Sequence, residues 1–228
     1  MLAQERHAII LDILKTKNFI KITEIVSRFD VSNETARRDL EVLQDEKLVK
    51  RVYGGAVLNT PTTPEPNSRL NISYTEKAAI GRAAAALVRE GDKILLDTGT
   101  TMLEIARNLK NMSNLTVLTN SLPIVNELIN TKVVLIVLGG YLDPDEQCMH
   151  GGLTSEAIEH FFVDKAFIGA GGVTFSGGVS DYNAEIENRR VMFEHTSQVI
   201  LAADSGKFGM NAFTSICPID DIDIIVSD

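Results

Sequence analysis

Cysteine is scarce: Cys148 and Cys217 are the two in 228 residues, and they show no close pairing. A disulfide framework is thereby excluded, and His7, His150, His160 and His195 form no metal-ligand spacing with them. Apolar runs are short. The longest, Val133-Val134-Leu135-Ile136-Val137-Leu138, falls far below the roughly 20 residues of a membrane helix. Residues 1–20 hold no signal-peptide core, because Asp12, Lys15 and Lys17 interrupt every apolar stretch. No Gly-x-Ser-x-Gly elbow occurs, and Cys217-Pro218 has no recognisable base partner. Net positive charge is missing too. With 22 Lys+Arg against 31 Asp+Glu the formal charge is -9, which, spread evenly, argues against indiscriminate coating of nucleic acid or anionic membrane. What remains, at 44% hydrophobic and 23% charged residues, is the composition of an ordinary globular protein, expected in the cytoplasm and with no cofactor or metal.

The charge is not spread evenly. Three of the six prolines fall in Asn59-Thr60-Pro61-Thr62-Thr63-Pro64-Glu65-Pro66-Asn67-Ser68. Proline fixes φ and removes a backbone donor, so this stretch is expected to be extended and unpaired. Residues 58–74 are read as a linker between a head, 1–57, and a body, 75–228. Residues 1–60 carry ten Lys/Arg against nine Asp/Glu, a net +1; the remainder carries 12 against 22, a net -10. The acidity belongs to the body.

In the head, Ile9, Ile10, Ile13 and Leu14 follow helical spacing, and a short second helix fits Thr23–Phe29. After the turn Asp30-Val31-Ser32, Ser32 is a good N-cap for a third helix running to about Glu46. Ala36, Leu40 and Leu43, at i, i+4 and i+7, define its buried face. At 100° per residue Arg38 points away from that face, with Thr35 and Arg37 on its flanks. Such a helix can set Thr35, Arg37 and Arg38 against bases and phosphates in a major groove. Leu48-Val49-Lys50-Arg51-Val52-Tyr53-Gly54-Gly55-Ala56-Val57 then reads as a basic β-wing. An Arg-rich helix face alone is usually just solvated, and Glu34/Arg38 and Arg37/Glu41 are ordinary i,i+4 pairs worth ~0.2–0.5 kcal/mol each. The combination of turn, cap, outward arginines and wing is what points to DNA.

The body alternates apolar strands with helices. Strands are expected at Lys93–Leu96, Thr116–Thr119, Val133–Leu138, Ala166–Ile168, Val199–Ala203 and Ile222–Val226, and helices at Glu76–Arg89, Met102–Leu109, Pro123–Ile129, Ser155–Phe162 and Ala184–His195. Strands apolar throughout are expected when helices cover both faces, so the fold class is α/β: a winged helix-turn-helix joined to a Rossmann-like, mainly parallel sheet. Asp97-Thr98-Gly99-Thr100-Thr101 ends the first body strand and opens a helix, presenting free N–H groups and a positive dipole to an anion. It lacks the P-loop Lys and the dinucleotide Gly pattern, so a monophosphate fits better than a nucleotide. Thr119-Asn120-Ser121, Gly139-Gly140, Gly169-Ala170-Gly171-Gly172 and Asp204-Ser205-Gly206-Lys207 also follow strand ends and are expected to converge on one crevice. There Asp181, Glu185 and Asp204 accept hydroxyl hydrogen bonds and Lys207 binds an oxyanion. Met102, Met149, Met192 and Met210 are expected in the core or crevice lining, and His195, near a helix end, as a surface or capping residue.

Ser32-Asn33-Glu34-Thr35-Ala36-Arg37-Arg38-Asp39-Leu40 followed by Arg51-Val52-Tyr53-Gly54-Gly55-Ala56 resembles the head signature of DeoR-type bacterial transcription regulators. The body resembles the DeoR effector domain, itself related to ribose-5-phosphate isomerase, in Asp97–Thr101, Thr119-Asn120, Gly139-Gly140, Val163–Phe167 and Asp204–Phe208. The resemblance implies a repressor of a carbohydrate-catabolic operon controlled by a phosphorylated sugar, binding double-stranded operator DNA as a homo-oligomer, dimer or tetramer. Ser32, Asn33, Thr35, Arg37, Arg38, Lys50, Arg51, Tyr53 and Gly54 are expected at the DNA. Asp97, Thr98, Gly99, Thr100, Thr101, Thr119, Asn120, Gly139, Gly140, Gly171, Asp181, Glu185 and Lys207 are expected at the effector. Two departures stand out. Arg189 replaces the family's frequent Lys, and the chain stops at Val226-Ser227-Asp228, where members usually continue, which implies truncation or an incomplete sheet edge. The alternative is an enzyme, a sugar-phosphate isomerase with a regulatory head, in which Asp181, Glu185 and Lys207 supply acid–base chemistry.

Overall fold

A computed structural model describes residues 3–17, 19–46, 48–52, 55–58, 72–182 and 187–228. Most of the expected linker, residues 59–71, lies outside the described residues. The chain divides into two compact units, Met1–Thr62 and Thr63–Asp228.

The first unit runs α1 (Ala3–Lys17), β1 (Phe19–Lys21), α2 (Ile22–Phe29), α3 (Asn33–Asp45), β2 (Val49–Val52) and β3 (Gly55–Leu58). Its core is the apolar set that the periodicity marks: Ile10 and Leu14 of α1, Ile25 of α2, and Ala36, Leu40 and Leu43 of α3, with Ile20, Val49 and Ala56 from the strands. Each large aliphatic side chain in that core contributes about 1.5–3 kcal/mol. Asp30, at φ 50, ends α2 in the left-handed region that Asp tolerates. Two residues later the Ser32 Oγ accepts the Thr35 N–H at 3.1 Å and starts α3. Lys50 pairs Val57 and Arg51 pairs Ala56 across an antiparallel β2–β3 ladder. The short strand β1 on its other edge is not evident in the sequence pattern.

A charged cluster pins α1 to α3. Arg6 donates Nε–H and Nη2–H to the two oxygens of Asp39 at 2.7 and 2.8 Å, and His7 Nε2 lies 3.0 Å from Asp39 Oδ1. Asp39 sits three residues from Ala36, at the rim of the buried stripe, so its carboxylate enters the core margin and takes a cation from α1. Burial alone would raise the Asp39 pKa, but the bonds from Arg6 and His7 outweigh it and hold the carboxyl below its ordinary value.

The second unit is built on six strands, all parallel: β4 (Lys93–Leu96), β5 (Thr116–Thr119), β6 (Val134–Val137), β9 (Lys165–Ile168), β12 (Val199–Ala202) and β14 (Ile224–Val226), in the spatial order β14-β12-β9-β4-β5-β6. The helices are α4 (Tyr74–Ala85), α5 (Thr100–Leu109), α6 (Leu122–Leu128), α7 (Gly152–Glu159) and α8 (Glu187–Glu194). Side chains alternate between two cores. Ile94, Leu96 and Val117 join α4 and α5 on one face, while Leu95, Leu118 and Ala166 join Ile158 of α7 and Met192 of α8 on the other. Burial on both faces is why these strands read as unbroken apolar runs. Helix bounds shift by a few residues; α7, for example, begins three residues before the expected Ser155, because Gly151 O accepts the Thr154 and Ser155 N–H groups.

Two antiparallel pieces were absent from the expected element order. The hairpin β7 (Tyr141–Asp143) and β8 (Cys148–His150) folds back over the end of β5. A separate three-stranded sheet joins β10 (Gly172–Thr174), β11 (Gly178–Asp181) and β13 (Thr214–Cys217). Their strands are three or four residues long, too short for alternation to declare itself. Among the described residues no helix is long and apolar enough to cross a membrane.

Removing the Asp39 carboxylate takes from the buried Arg6 the acceptor of two of its hydrogen bonds. Asp39→Ala is expected to destabilise the first unit by about 3 kcal/mol, read as faster hydrogen exchange at the Leu40 and Leu43 amides. Because the folded pKa lies below the ordinary 3.8, this stabilisation is full above that value and fades as pH falls through the lower folded one. The difference between wild type and Asp39→Asn therefore narrows below about pH 4; a difference unchanged at pH 3 would contradict the assignment.

Candidate functional site

In the first two turns of α3 Asn33, Glu34, Arg37 and Arg38 are exposed, whereas Ala36, Leu40 and Leu43 are buried. Both arginines thus stand on the solvent side of a helix whose other face is fixed in the core. Ser32 and Thr35 are engaged with each other: besides the cap, their hydroxyls lie 2.9 Å apart. Lys50 and Arg51 belong to β2, while Tyr53 and Gly54 lie outside the described residues.

In the second unit a cavity of about 330 Å³ opens beyond the carboxyl ends of β4, β9 and β12. Its wall includes Thr98, Gly99, Thr100 and Thr101 after β4, Gly169–Gly171 after β9, and Asp204, Gly206 and Lys207 after β12. This is where an open parallel sheet presents ligand sites, because loops and helix N-termini gather there. Gly99 precedes α5 at φ 125, a conformation that a side chain resists, and no side chain caps the helix. The N–H groups of that first turn have no intrahelical acceptor, so they and the positive helix end are directed at whatever anion enters.

An ion triad adjoins the same cavity: Arg189 and Asp181 are in its wall, while Asp97, expected at the effector, is buried and not part of it. Arg189, on α8, donates Nε–H to Asp97 Oδ2 at 2.7 Å and a second N–H to Asp181 Oδ2 at the end of β11. Asp97 is 2% and Arg189 9% exposed. Burial works against the Arg189 charge, but Asp97 and Asp181 outweigh it and hold the guanidinium pKa above its ordinary value. Burial, followed by the repulsion of Asp181, raises the Asp97 pKa against the opposing pull of Arg189 and the Thr98 N–H. A lysine has one point charge and cannot span two carboxylates with a planar fork. Arg189 therefore suits the position in this chain.

The lining contains residues that the sequence reading passed over. Lys77 is 6% exposed, and its Nζ donates to the Ile72 carbonyl at 2.8 Å. A signal for it exists: Lys77 falls on the stripe Ile80, Gly81, Ala84, where a lysine among core positions asks for a reason. Tyr182 also lines the cavity, with the Lys207 ammonium 5.6 Å from its ring centroid, a cation–π distance. Met102 and Met210 are lining; Met192 is core.

Not every predicted cluster converges. Thr119 and Asn120 are buried, and they and Gly139 and Gly140 are not part of the wall. The β7–β8 hairpin covers Asn120, whose Nδ2 donates to Met149 O at 2.8 Å and whose carbonyl accepts the Met149 N–H at 2.8 Å, while α7 holds Gly139, its Thr154 Oγ1 donating to Gly139 O at 2.7 Å. A hairpin the sequence pattern did not announce thus takes the end of β5 away from the crevice. Glu185 lies outside the described residues. His195 directly follows the end of α8 and is half-buried, its ring 4.8 Å from that of Phe162.

A helix-turn-helix with outward arginines, in one chain with a Rossmann-like unit holding a polar cleft, is the layout of a transcription regulator. The chain belongs to the DeoR family: the DeoR-like helix-turn-helix domain matches residues 6–62 and the DeoR C terminal sensor domain matches residues 72–228. It is 36% identical over 232 residues to the transcriptional repressor AccR of Agrobacterium fabrum, covering 99% of this chain and 89% of that protein. Identity to the HTH-type transcriptional repressor GlcR of Bacillus subtilis is 34%, over 100% of this chain and 89% of that one. The glycerol-3-phosphate regulon repressor of Escherichia coli is 31% identical, over 98% and 90%. Among solved structures, ribose 5-phosphate isomerase A from Methanocaldococcus jannaschii aligns with 60% of this chain and 55% of its own, at 17% identity and a TM-score of 0.45.

Arg189→Met leaves Asp97 and Asp181 facing each other without a cation, which is expected to cost the second unit about 3–5 kcal/mol. Adding Asp97→Asn and Asp181→Asn to that variant removes the repulsion and is expected to recover much of the loss. Thermal denaturation of the single and triple variants measures both, and equal midpoints for wild type and Arg189→Met would refute the structural role.

Proposed function

We propose that this DeoR-family regulator represses a carbohydrate-catabolic operon by binding double-stranded operator DNA through α3, and that a phosphorylated sugar in the cleft controls that binding. The observation that carries the reading is the cleft: an uncapped helix N-terminus at Thr100 with the Thr98–Thr101 hydroxyls beside it, and two lysines, Lys77 and Lys207, in the same wall. Backbone N–H groups, a helix dipole and ammonium groups recognise a phosphate monoester. Asp204 and Asp181 supply acceptors for the hydroxyls of the sugar. A relative named for a glycerol-3-phosphate regulon supports a phosphorylated ligand.

On the DNA side, Arg37 and Arg38 contact bases or phosphates in the major groove, with Ser32, Asn33 and Thr35 at the helix start and Lys50, Arg51, Tyr53 and Gly54 in the wing. The enzymatic alternative is disfavoured by the triad. Asp181, the described carboxylate among its acid–base residues, lines the cleft bound to Arg189, and a base held in an ion pair is a poor proton acceptor at carbon.

Arg38→Ala is expected to lower operator affinity by about 1–3 kcal/mol if it reads a base, or to reduce the salt slope by roughly one ion if it binds phosphate. Gel shifts over a salt series separate the two, and unchanged affinity at every salt would sink the assignment of α3. Lys207→Ala is expected to weaken the response to sugar phosphates at least tenfold with DNA binding intact, since a charge-assisted bond is worth roughly 1.5–3 kcal/mol. A thermal-shift series with aldose and ketose phosphates measures it, and the wild type is expected to turn none of them over.

A further inference from the structure

We propose that Arg189 is a ligand contact as well as a strut: the free edge of its guanidinium takes an oxygen of the anion held at the Thr98–Thr101 loop, in competition with Asp181. This role rests on the proposed reading of the cleft as an anion site.

A guanidinium carries its N–H donors in a planar fork with more than one usable edge. In Arg189 the Nε–H goes to Asp97 Oδ2 and an Nη1–H to Asp181 Oδ2. Nη2 has no hydrogen-bond partner among the described residues. Nor is it sealed in. The fully buried side-chain atoms that lack a partner among the described residues are Asn120 Oδ1 and His195 Nδ1, and Nη2 is not one of them. Arg189 is 9% exposed and stands in the cavity wall, so its open edge faces the cavity. A strut needs only the two N–H groups already engaged, which leaves that edge for a ligand.

Position brings the edge to the anion loop. Asp97, which receives the Arg189 Nε–H, immediately precedes Thr98 and also accepts the Thr98 N–H. The guanidinium and the entry to α5 are thereby tied to one carboxylate. Lys207, by contrast, follows β12, two strands from β4 in the sheet, or roughly 9–10 Å at about 4.7–4.9 Å per strand. Its ammonium lies over the Tyr182 ring and faces the loop from across the cleft.

Charge makes the contact competitive. Lys77, Arg189 and Lys207 in the wall are matched by Glu146, Asp181 and Asp204. Net charge therefore does not draw an anion in, and it gains most by sharing a cation with a carboxylate that can yield. Asp97 is sealed at 2% exposure, whereas Asp181 is partly exposed in the wall. Asp181 is thus the partner that yields. Linkage makes the effect reciprocal: an anion that loosens Asp181 from Arg189 is itself loosened by Asp181. Because Tyr182 follows Asp181 directly, that shift also reaches the ring beneath Lys207.

The test is a titration of the full chain with inorganic phosphate at constant ionic strength, followed through the amide NMR shifts of Gly99, Thr100 and Thr101. Inorganic phosphate has no sugar hydroxyls, so Asp181 cannot act on it as a hydroxyl acceptor. Those amides also exclude phosphate held by the arginines of α3. The wild type is expected to saturate. Arg189→Lys keeps a cation between the carboxylates without the fork and is expected to bind at least about tenfold more weakly, the loss of one charge-assisted hydrogen bond. Asp181→Asn removes the competitor and is expected to bind at least roughly fivefold more tightly, the low end of coupling between linked groups. Asp181→Asn combined with Arg189→Gln lacks the repulsion and the guanidinium alike, and is expected to bind more weakly than the wild type. Equal affinity in wild type and Arg189→Lys, or a double variant as tight as Asp181→Asn, would overturn the proposal and leave the anion site standing. No saturable shift in the wild type would overturn both.

Discussion

Three charges buried together organise the second unit: the guanidinium of Arg189 between the carboxylates of Asp97 and Asp181. Each group belongs to a different element. Asp97 follows directly on a strand of the parallel sheet, Asp181 ends a strand of the antiparallel one, and Arg189 stands on α8. Taking these ions out of water costs several kcal/mol apiece, and their mutual attraction offsets that cost only in near-ideal geometry. The arrangement therefore tolerates little displacement. It specifies where the antiparallel sheet sits against the parallel one, and so the width of the cleft between them.

The first unit uses the same device on a smaller scale. Arg6 and His7 of α1 share the Asp39 carboxylate of α3, fixing the helix that carries Arg37 and Arg38 against the rest of its core. In both units a buried ion cluster ties a functional element to its scaffold while apolar packing supplies most of the stabilisation. Specific orientation and bulk stability are thus provided by different interactions, and a substitution can disturb one with less effect on the other.

Much of this was legible in the residues. The third helix and its Ser32 cap, the six apolar strands and the loop opening at Asp97 follow from period, capping chemistry and turn residues, because each is a local rule acting over ten residues or fewer. The ion clusters were not, since Arg6 and Asp39 are 33 residues apart and Arg189 and Asp97 are 92 apart. Nothing local tells a charged residue which distant partner it will meet. Thr119, Asn120, Gly139 and Gly140 show the converse: they follow strand ends as ligand residues do, yet a hairpin of two three-residue strands and the start of α7 engage Asn120 and Gly139 instead.

The absences that open the sequence keep their meaning with one refinement. Scarce cysteine and short apolar runs gave no sign of a disulfide framework or a membrane helix, because the first needs several cysteine pairs and the second roughly 20 apolar residues. Net acidity described the larger unit and concealed a near-neutral one with its arginines on a helix. What the sequence alone determined is element type and its broad order, since local sterics and hydrophobic period decide them. What tertiary structure alone decided is which polar residues share a cavity and which are spent holding it open, since packing brings together groups that sequence distance keeps apart.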